Sequence, residues 1–309
     1  MSEQRRVLVT GATGFVGRHT IPILLSHGFE VHVVGRSTRV VDTTLEGELV
    51  SHKADLLDPG ESRRIMHEVR PSHLLHLAWY TVHGQFWQST ENLRWVSASL
   101  DLLARFAEAN GSRCVFAGTC AEYEWTGRPL AEDSPRRPAS LYGVCKNALQ
   151  ETCAAAAKEY GLSAGWGRIF LPYGPHEDPR RVIPTAISTL LRGEAAEFGD
   201  GKQLRDFMHV EDLAGALVAL LQSRHEGPMN LASGQPVELG EVLGRIGHLI
   251  GRPELLRIGT RPLRPGEPLS LTADVSLMRR SLSFAPRFDL DSGLRATVRW
   301  WTERLDGTT

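Results

Sequence analysis

Short apolar, β-branched runs alternate along the first half of the chain with longer segments whose apolar positions recur every three or four residues. Arg5–Thr10 is the first such run. A segment with helical spacing follows (Val16, Ile21, Leu24, Leu25), in which Pro22 should kink or shorten the helix. Glu30–Val34 reads as a second strand. Ala54–Asp58 closes a third, and a helix follows from about Glu61 to Val69. His73–Ala78 is a fourth strand. Phe86–Asn110 reads as a long helix with an apolar stripe of Leu93, Val96, Leu100, Leu103 and Phe106. Cys114–Gly118 and Leu162–Phe170 are the fifth and sixth strands, separated by a Pro-containing loop (Trp125–Pro138) and a helix beginning near Ser140. Strand–helix alternation of this kind predicts an α/β doubly wound parallel sheet. After Tyr173-Gly-Pro175 the rhythm changes to short helices near Val182–Leu191, Glu211–Leu221, Leu239–Ile250 and Ser292–Arg304 between Pro/Gly loops. That change predicts a smaller, mixed α/β C-terminal lobe.

Composition narrows the partners. The 309 residues carry 35 basic and 36 acidic side chains, so no basic excess invites nucleic acid or an anionic membrane. Four cysteines (Cys114, Cys120, Cys145, Cys153) form no C-x-x-C pair, which fits a reducing, cytoplasmic compartment. No apolar run approaches the roughly 18 residues that span a bilayer, and no secretory signal is read at the start. His73 and His76 are three apart on a strand and point to opposite faces. They read as packing or surface residues, and no metal site is expected.

Candidate chemistry begins where the first strand ends. Gly11-Ala-Thr-Gly14-Phe-Val-Gly17 lies between that strand and a helix, where glycines allow a tight turn close to a pyrophosphate and the helix N-terminus offers unpaired N–H groups. A plain glycine turn is the bland alternative. The second strand ends in Gly35-Arg36-Ser37, without an acid. An acid there would accept from the 2′-hydroxyl of NAD, whereas an arginine can bind the 2′-phosphate of NADP; a solvated surface arginine remains the alternative. Thr119 ends the fifth strand, at the edge where open parallel sheets bind ligands, although threonine also simply forms turns. Tyr142 and Lys146 are four apart on one helical face. A fixed ammonium there would stabilise the phenolate and lower a pKa otherwise near ~10. From that pair alone, an ordinary surface Tyr and Lys is the commoner explanation.

Taken together, Thr10-Gly11-x-x-Gly14-x-x-Gly17, Asp55-Leu56, His76-Leu-Ala78, Thr119, Tyr142-x-x-x-Lys146, Tyr173-Gly-Pro175 and Arg205-Asp-Phe-Met-His-Val-Glu-Asp212 resemble, in order and over nearly the whole length, the extended short-chain dehydrogenase/reductase family of NAD(P)-dependent nucleotide-sugar epimerases, dehydratases and reductases. The Leu269–Trp301 tail, with Asp274, is similar too. The resemblance implies a Rossmann-type cofactor domain over 1–170, with a return segment near 206–233, and a mainly substrate-binding lobe over 171–309. It implies that Gly11, Thr13, Gly14, Phe15 and Val16 hold the pyrophosphate, with Asp55 and Leu56 at the adenine and Ala78 at the ribose–nicotinamide side. Arg36 and Ser37 would meet the adenosine ribose, making NADP(H) the expected cofactor and NAD(H) the alternative. Tyr142 would be the acid/base. Lys146 would bind the nicotinamide ribose and tune Tyr142, and Thr119 would hydrogen-bond the reacting oxygen. Arg181, Arg205 and Arg264 would hold the diphosphate of a nucleotide sugar, and the family commonly forms homodimers through a four-helix bundle.

Departures narrow the expected reaction. Sugar 4,6-dehydratases carry an Asp-Glu pair directly after the catalytic threonine, where this chain has Cys120-Ala121. Fucose-type epimerase-reductases carry a Cys two residues after the catalytic hydroxyl and a His before Val-Ile-Pro, where this chain has Ala121 and Arg181. An asparagine usual three before Gly174 is Leu171. The expectation is NADPH-dependent reduction of the 4-keto group of a nucleotide-activated deoxysugar. A nucleotide-sugar 4-epimerase holding NAD is the runner-up, and a non-catalytic cofactor-binding scaffold is the alternative from another class.

Overall fold

The computed structural model describes residues 5–37, 49–262 and 267–307. The first half alternates as β1 (Arg6–Thr10), α1 (Gly17–Ser26), β2 (Glu30–Gly35), β3 (Leu49–Lys53), α2 (Pro59–Val69), β4 (His73–His76), α3 (Glu91–Glu108), β5 (Arg113–Thr119), α4 (Leu141–Tyr160) and β6 (Ser163–Ile169). There follow β7 (Leu171–Tyr173), α5 (Val182–Leu191), β8 (Ala196–Phe198), β9 (Leu204–Arg205), β10 (Phe207–His209), α6 (Val210–Gln222), β11 (Gly227–Leu231), β12 (Val237–Glu238), α7 (Leu239–Ile250), β13 (Leu256–Ile258), β14 (Ser270–Leu271), α8 (Ser276–Ser281) and α9 (Leu290–Asp306).

Seven strands form one parallel sheet in the order β11-β6-β5-β4-β1-β2-β3. The order reverses between β1 and β4, and in such sheets the crevice outside the carboxyl ends at that switch point is where ligands bind. One apolar cluster packs α1 and α6 on one face and a second packs α2, α3 and α4 on the other. A third gathers α5, α7 and α9 around Ile187, Ile246 and Trp301. Its sequence neighbours are tied to the large sheet by Asp206. That buried carboxylate accepts from the Ser233 amide (2.8 Å) and hydroxyl (2.6 Å), the Gly234 amide and the Ala273 amide.

Several boundaries differ from the sequence expectation. The third strand ends at Lys53, because Asp58 leaves the sheet to cap α2 through the Gly60 amide. Helix α3 starts at Glu91 rather than Phe86. The Asn92 side chain donates to the Phe86 (2.7 Å) and Ser89 (2.8 Å) carbonyls, which holds the preceding residues in turns. Helix α1 runs through Pro22, which lies on its exposed side, and continues to Ser26. The apolar stripe of α3 divides: Leu103 and Phe106 belong to this chain's own core, as do Leu149 and Ala157 of α4, while Leu93 and Val144 stay exposed. Among the described residues no helix is long and apolar enough to cross a membrane. Nor does any group of three or more His, Cys, Asp or Glu among them suit a metal ion.

Candidate active site

At the carboxyl end of β1 the chain turns at Gly11, whose φ of +71° is a region L side chains rarely adopt. A Cβ there would lie 2.7 Å from the Ala78 amide at the end of β4, so Gly11 also permits the close approach of the two strand ends. The Gly14 amide donates to the Gly11 carbonyl at 2.9 Å, and Val16 immediately precedes α1. Thr13 and Gly14 are exposed over the switch point, while Phe15 and Val16 are half-buried. The loop, where Arg18 Nη2 donates to the Thr13 carbonyl at 2.9 Å, suits a pyrophosphate against a helix N-terminus.

Thr10 and His76 fix the other wall. The Thr10 hydroxyl accepts from the Leu77 and Ala78 amides (3.1 Å each) and lies 2.8 Å from His76 Nδ1. His76 Nε2 meets Ser99 Oγ at 2.9 Å, and that hydroxyl donates to the Trp95 carbonyl. Burial pushes the His76 pKa down to about 3, so the ring is neutral. A consistent chain then has Thr10 donating to Nδ1 and Nε2–H donating to Ser99. His76 therefore has a definite task, holding Ala78 in place through Thr10. Asp55 and Leu56 follow β3, with Asp55 exposed and its carboxylate accepting from the Leu57 amide. Arg36 and Ser37 are exposed at the end of β2.

Tyr142, Lys146 and Thr119 come together. Ser140 caps α4 through the Gly143 amide, and the Tyr142 amide donates to the Trp87 carbonyl at 3.0 Å. The Tyr142 ring packs edge-on against Phe86 (5.0 Å), Trp87 (5.8 Å) and Trp79 (6.5 Å). Lys146 is 4% exposed; its Nζ donates to the Ala117 carbonyl (2.8 Å) and lies 3.7 Å from the centre of the Trp79 ring. Burial drives the Lys146 pKa down to about 7, with the Glu122 carboxylate opposing the fall. Burial also raises the Tyr142 phenol, against a hydrogen bond from the Thr119 hydroxyl and the charge of Arg181. This reverses the sequence expectation of a lowered phenol pKa, because desolvation outweighs neighbouring charge here.

The residues immediately after Thr119 limit the chemistry. Cys120 and Ala121 are buried and carry no acid. Glu122 is the nearest carboxylate in sequence, but it is fully buried and both its oxygens are engaged. Oε1 accepts from the Thr119 amide (2.8 Å) and Trp166 Nε1 (2.9 Å), and Oε2 from Arg168 Nε (2.7 Å). Sequence reasoning misses Glu122. The available signal is Arg168, a charge within a buried parallel strand, which demands a buried acid nearby.

The arginines expected at the substrate are arranged differently from one another. Arg181 immediately precedes α5, is half-exposed and pairs with the buried Glu177 at 2.8 Å. Burial raises that carboxyl to about 7. Arg181 also acts electrostatically on Tyr142 and Cys120, which puts it beside the candidate site. Arg205 is buried and donates to Glu267 (2.8 Å) and the Leu204 carbonyl. Arg264 lies outside the described residues.

Residues 7–232 match the model of the NAD dependent epimerase/dehydratase family. The chain belongs to that family. It is 30% identical to a dTDP-4-dehydro-6-deoxy-D-allose reductase from a Streptomyces species, with 96% of each chain covered. It is 27% identical to a UDP-glucose 4-epimerase from Rhizobium meliloti, with 99% of each covered. Among solved structures, MoeE5 in complex with UDP-glucuronic acid and NAD superposes with a TM-score of 0.83 at 34% identity, over 97% of this chain and 99% of that one. The fold and the family are thus established, while relatives of similar identity carry out different reactions.

Proposed function

We propose that this family member is an NADPH-dependent reductase of the 4-keto group of a nucleotide-activated deoxysugar, with Tyr142 as proton donor. The observation that carries this reading is the surroundings of Thr119. None of the three residues after it offers a free carboxylate, since Cys120 and Ala121 are not acids and Glu122 has both oxygens bonded. Elimination of water or inversion at a neighbouring carbon needs a second acid/base group, whereas carbonyl–alcohol interconversion, in a reductase or a 4-epimerase, needs one; between those two, Arg36 without an acid at the end of β2 favours an exchanged NADP(H) and so the reductase. A bound dinucleotide would supply the hydride. Tyr142 would transfer its proton to the carbonyl oxygen, Thr119 would donate a hydrogen bond to it, and Lys146 would hold the nicotinamide ribose. Arg181 and Arg205 would hold the diphosphate, together with Arg264. The reductase relative acts, by its name, on a substrate of this class.

The test offers the 4-keto-6-deoxyhexoses of GDP, CDP, dTDP and UDP to the pure protein with NADPH. One NADPH should be oxidised per ketone reduced, giving a single stereoisomer. Interconversion of 4-hydroxy nucleotide sugars without added cofactor, with no keto sugar consuming NADPH, would make the protein an epimerase.

Arg36 motivates the cofactor choice. A charge-assisted hydrogen bond is worth about 1.5–3 kcal/mol, or about 10- to 100-fold. NADPH should therefore exceed NADH in kcat/KM by at least about tenfold, and Arg36→Asp should reverse the order. The NAD in MoeE5 marks the competing outcome, and equal efficiency in the unmodified protein would remove Arg36 from cofactor selection.

The reading includes a homodimer joined through the outer faces of α3 and α4, on which Leu93 and Val144 are exposed at 55% and 47%. Light scattering at micromolar concentration should give twice the chain mass, and a monomeric mass would refute the pairing.

A further inference from the structure

Beneath the site, Glu122 and Arg168 form an ion pair in which neither side chain has any exposed surface. Burying a pair this completely usually costs more in desolvation than it returns, so it is weak ground for stability. Its placement is more informative. The carboxylate end bonds the amide of Thr119, and Glu122 also closes a capping box with the Thr119 hydroxyl, which accepts from the Ala121 amide at 3.2 Å. The guanidinium end points away from the site. Arg168 Nη1 donates to the Tyr123 hydroxyl (2.8 Å) and the Glu132 carbonyl (3.0 Å). Tyr123 in turn donates to Asn230 Oδ1 (2.7 Å). Asn230 Nδ2 then reaches the Leu130 and Asp274 carbonyls. The pair is thus oriented, negative end toward the reacting hydroxyls and positive end toward the outer network.

We propose that Glu122 is a positioning residue: its carboxylate fixes the turn that presents Thr119 and keeps its negative charge behind Tyr142 and Lys146. The proposal rests on the Tyr142-centred chemistry argued above. The charged and titratable groups facing Lys146 are Glu122 from the turn after β5, His76 from β4 and Cys153 from its own helix. The Ala117 carbonyl and the Trp79 ring complete its contacts. Tyr142 is faced by Thr119, Cys120 and Glu122, and by Arg181 from the start of α5. His76 is neutral, and burial raises Cys120 and Cys153, so the cysteines remain thiols. Glu122, ion-paired with Arg168, is the carboxylate of the set. It favours the ammonium of Lys146 and the neutral phenol of Tyr142, the two protonated forms that reduction of a carbonyl requires. Removing its charge moves both groups the same way, toward losing their protons at lower pH.

Glu122→Gln keeps an acceptor for the Thr119 amide and Trp166 but removes the charge. The double variant E122Q/R168Q removes the buried charge left on Arg168 and lets the two amides bond each other, which guards against failure to fold. The readout is the 13Cε shift of Lys146, assigned by its loss in K146M and titrated in the protein without cofactor or substrate. Its midpoint should fall by about one pH unit in Glu122→Gln, the usual effect of removing a nearby opposite charge, and by less in the double variant, where the Arg168 charge is lost with it. With a keto-sugar substrate, the alkaline limb of the kcat profile should move down in parallel, which a merely structural defect would not produce. An unmoved Lys146 midpoint in a folded variant overturns the proposal. A moved midpoint with no keto sugar reduced leaves Glu122 in its role and overturns the reductase reading instead.

Discussion

Replacing Tyr142 by Phe should lower turnover by at least ~100-fold, the scale on which a positioned general acid contributes, and leave NADPH affinity within about twofold. The substitution removes one oxygen and keeps the ring, so the packing against Phe86, Trp87 and Trp79 persists. The bond from the residue 142 amide to the Trp87 carbonyl involves no side-chain atom. Lys146 keeps the Ala117 carbonyl and the Trp79 face. The loss should therefore fall on kcat and kcat/KM alike, as expected for an interaction made in the transition state. Because burial raises the Tyr142 pKa, the phenol is fully protonated at neutral pH and ready to donate. Steady-state kinetics with a keto sugar, alongside a fluorescence titration of NADPH, reads both quantities. Turnover within a few-fold of the unmodified protein would remove Tyr142 from the chemistry and pass the proton to another donor.

Much of this site was legible because its residues are constrained locally. Glycines at 11, 14 and 17 reflect backbone geometry that reads through directly, and the i,i+4 spacing of Tyr142 and Lys146 survives as one face of α4. Helices α5 and α7 have the ends expected from their apolar period. The parts that escaped depend on partners distant in sequence. Nothing in His-Leu-Ala-Trp79 says that an indole 67 positions upstream of Lys146 will lie against its ammonium. Glu122 reads as one more acid in a polar turn until β6 brings Trp166 and Arg168 beneath it. Asn92 reads as an ordinary helical residue, yet its side chain decides where α3 begins. The phenol pKa went the wrong way for a related reason: spacing reveals a neighbouring charge, but only the fold reveals that desolvation outweighs it.

Gly17→Ala should abolish dinucleotide binding at accessible concentrations, at least ~100-fold, without touching any residue assigned to catalysis. A Cβ at residue 17 would sit 2.1 Å from the Gly11 carbonyl oxygen, 2.8 Å from its carbon and 2.9 Å from Ala12 Cα. All three are backbone atoms, so no side-chain rotation relieves the clash, and helix α1 must part from the loop by roughly 1 Å, a displacement that can cost a site about 100-fold. The same Gly11 carbonyl accepts the Gly14 amide, and Gly11 itself already stands against Ala78. The loop therefore has no free direction in which to yield, and any shift pulls its amides off the pyrophosphate position. Overpacking of this sort costs about 1–3 kcal/mol, so the melting temperature should fall by several degrees as well. Gly60→Ala is the control: its Cβ would meet only Asp58 Oδ1, at an ordinary 3.6 Å, in the first turn of α2, and both binding and melting should stay near those of the unmodified protein. Fluorescence titration and thermal melts of the two variants separate the outcomes. Unchanged NADPH affinity in G17A would mean that the loop can move without cost, and that close backbone approach is not what demands glycine at this position.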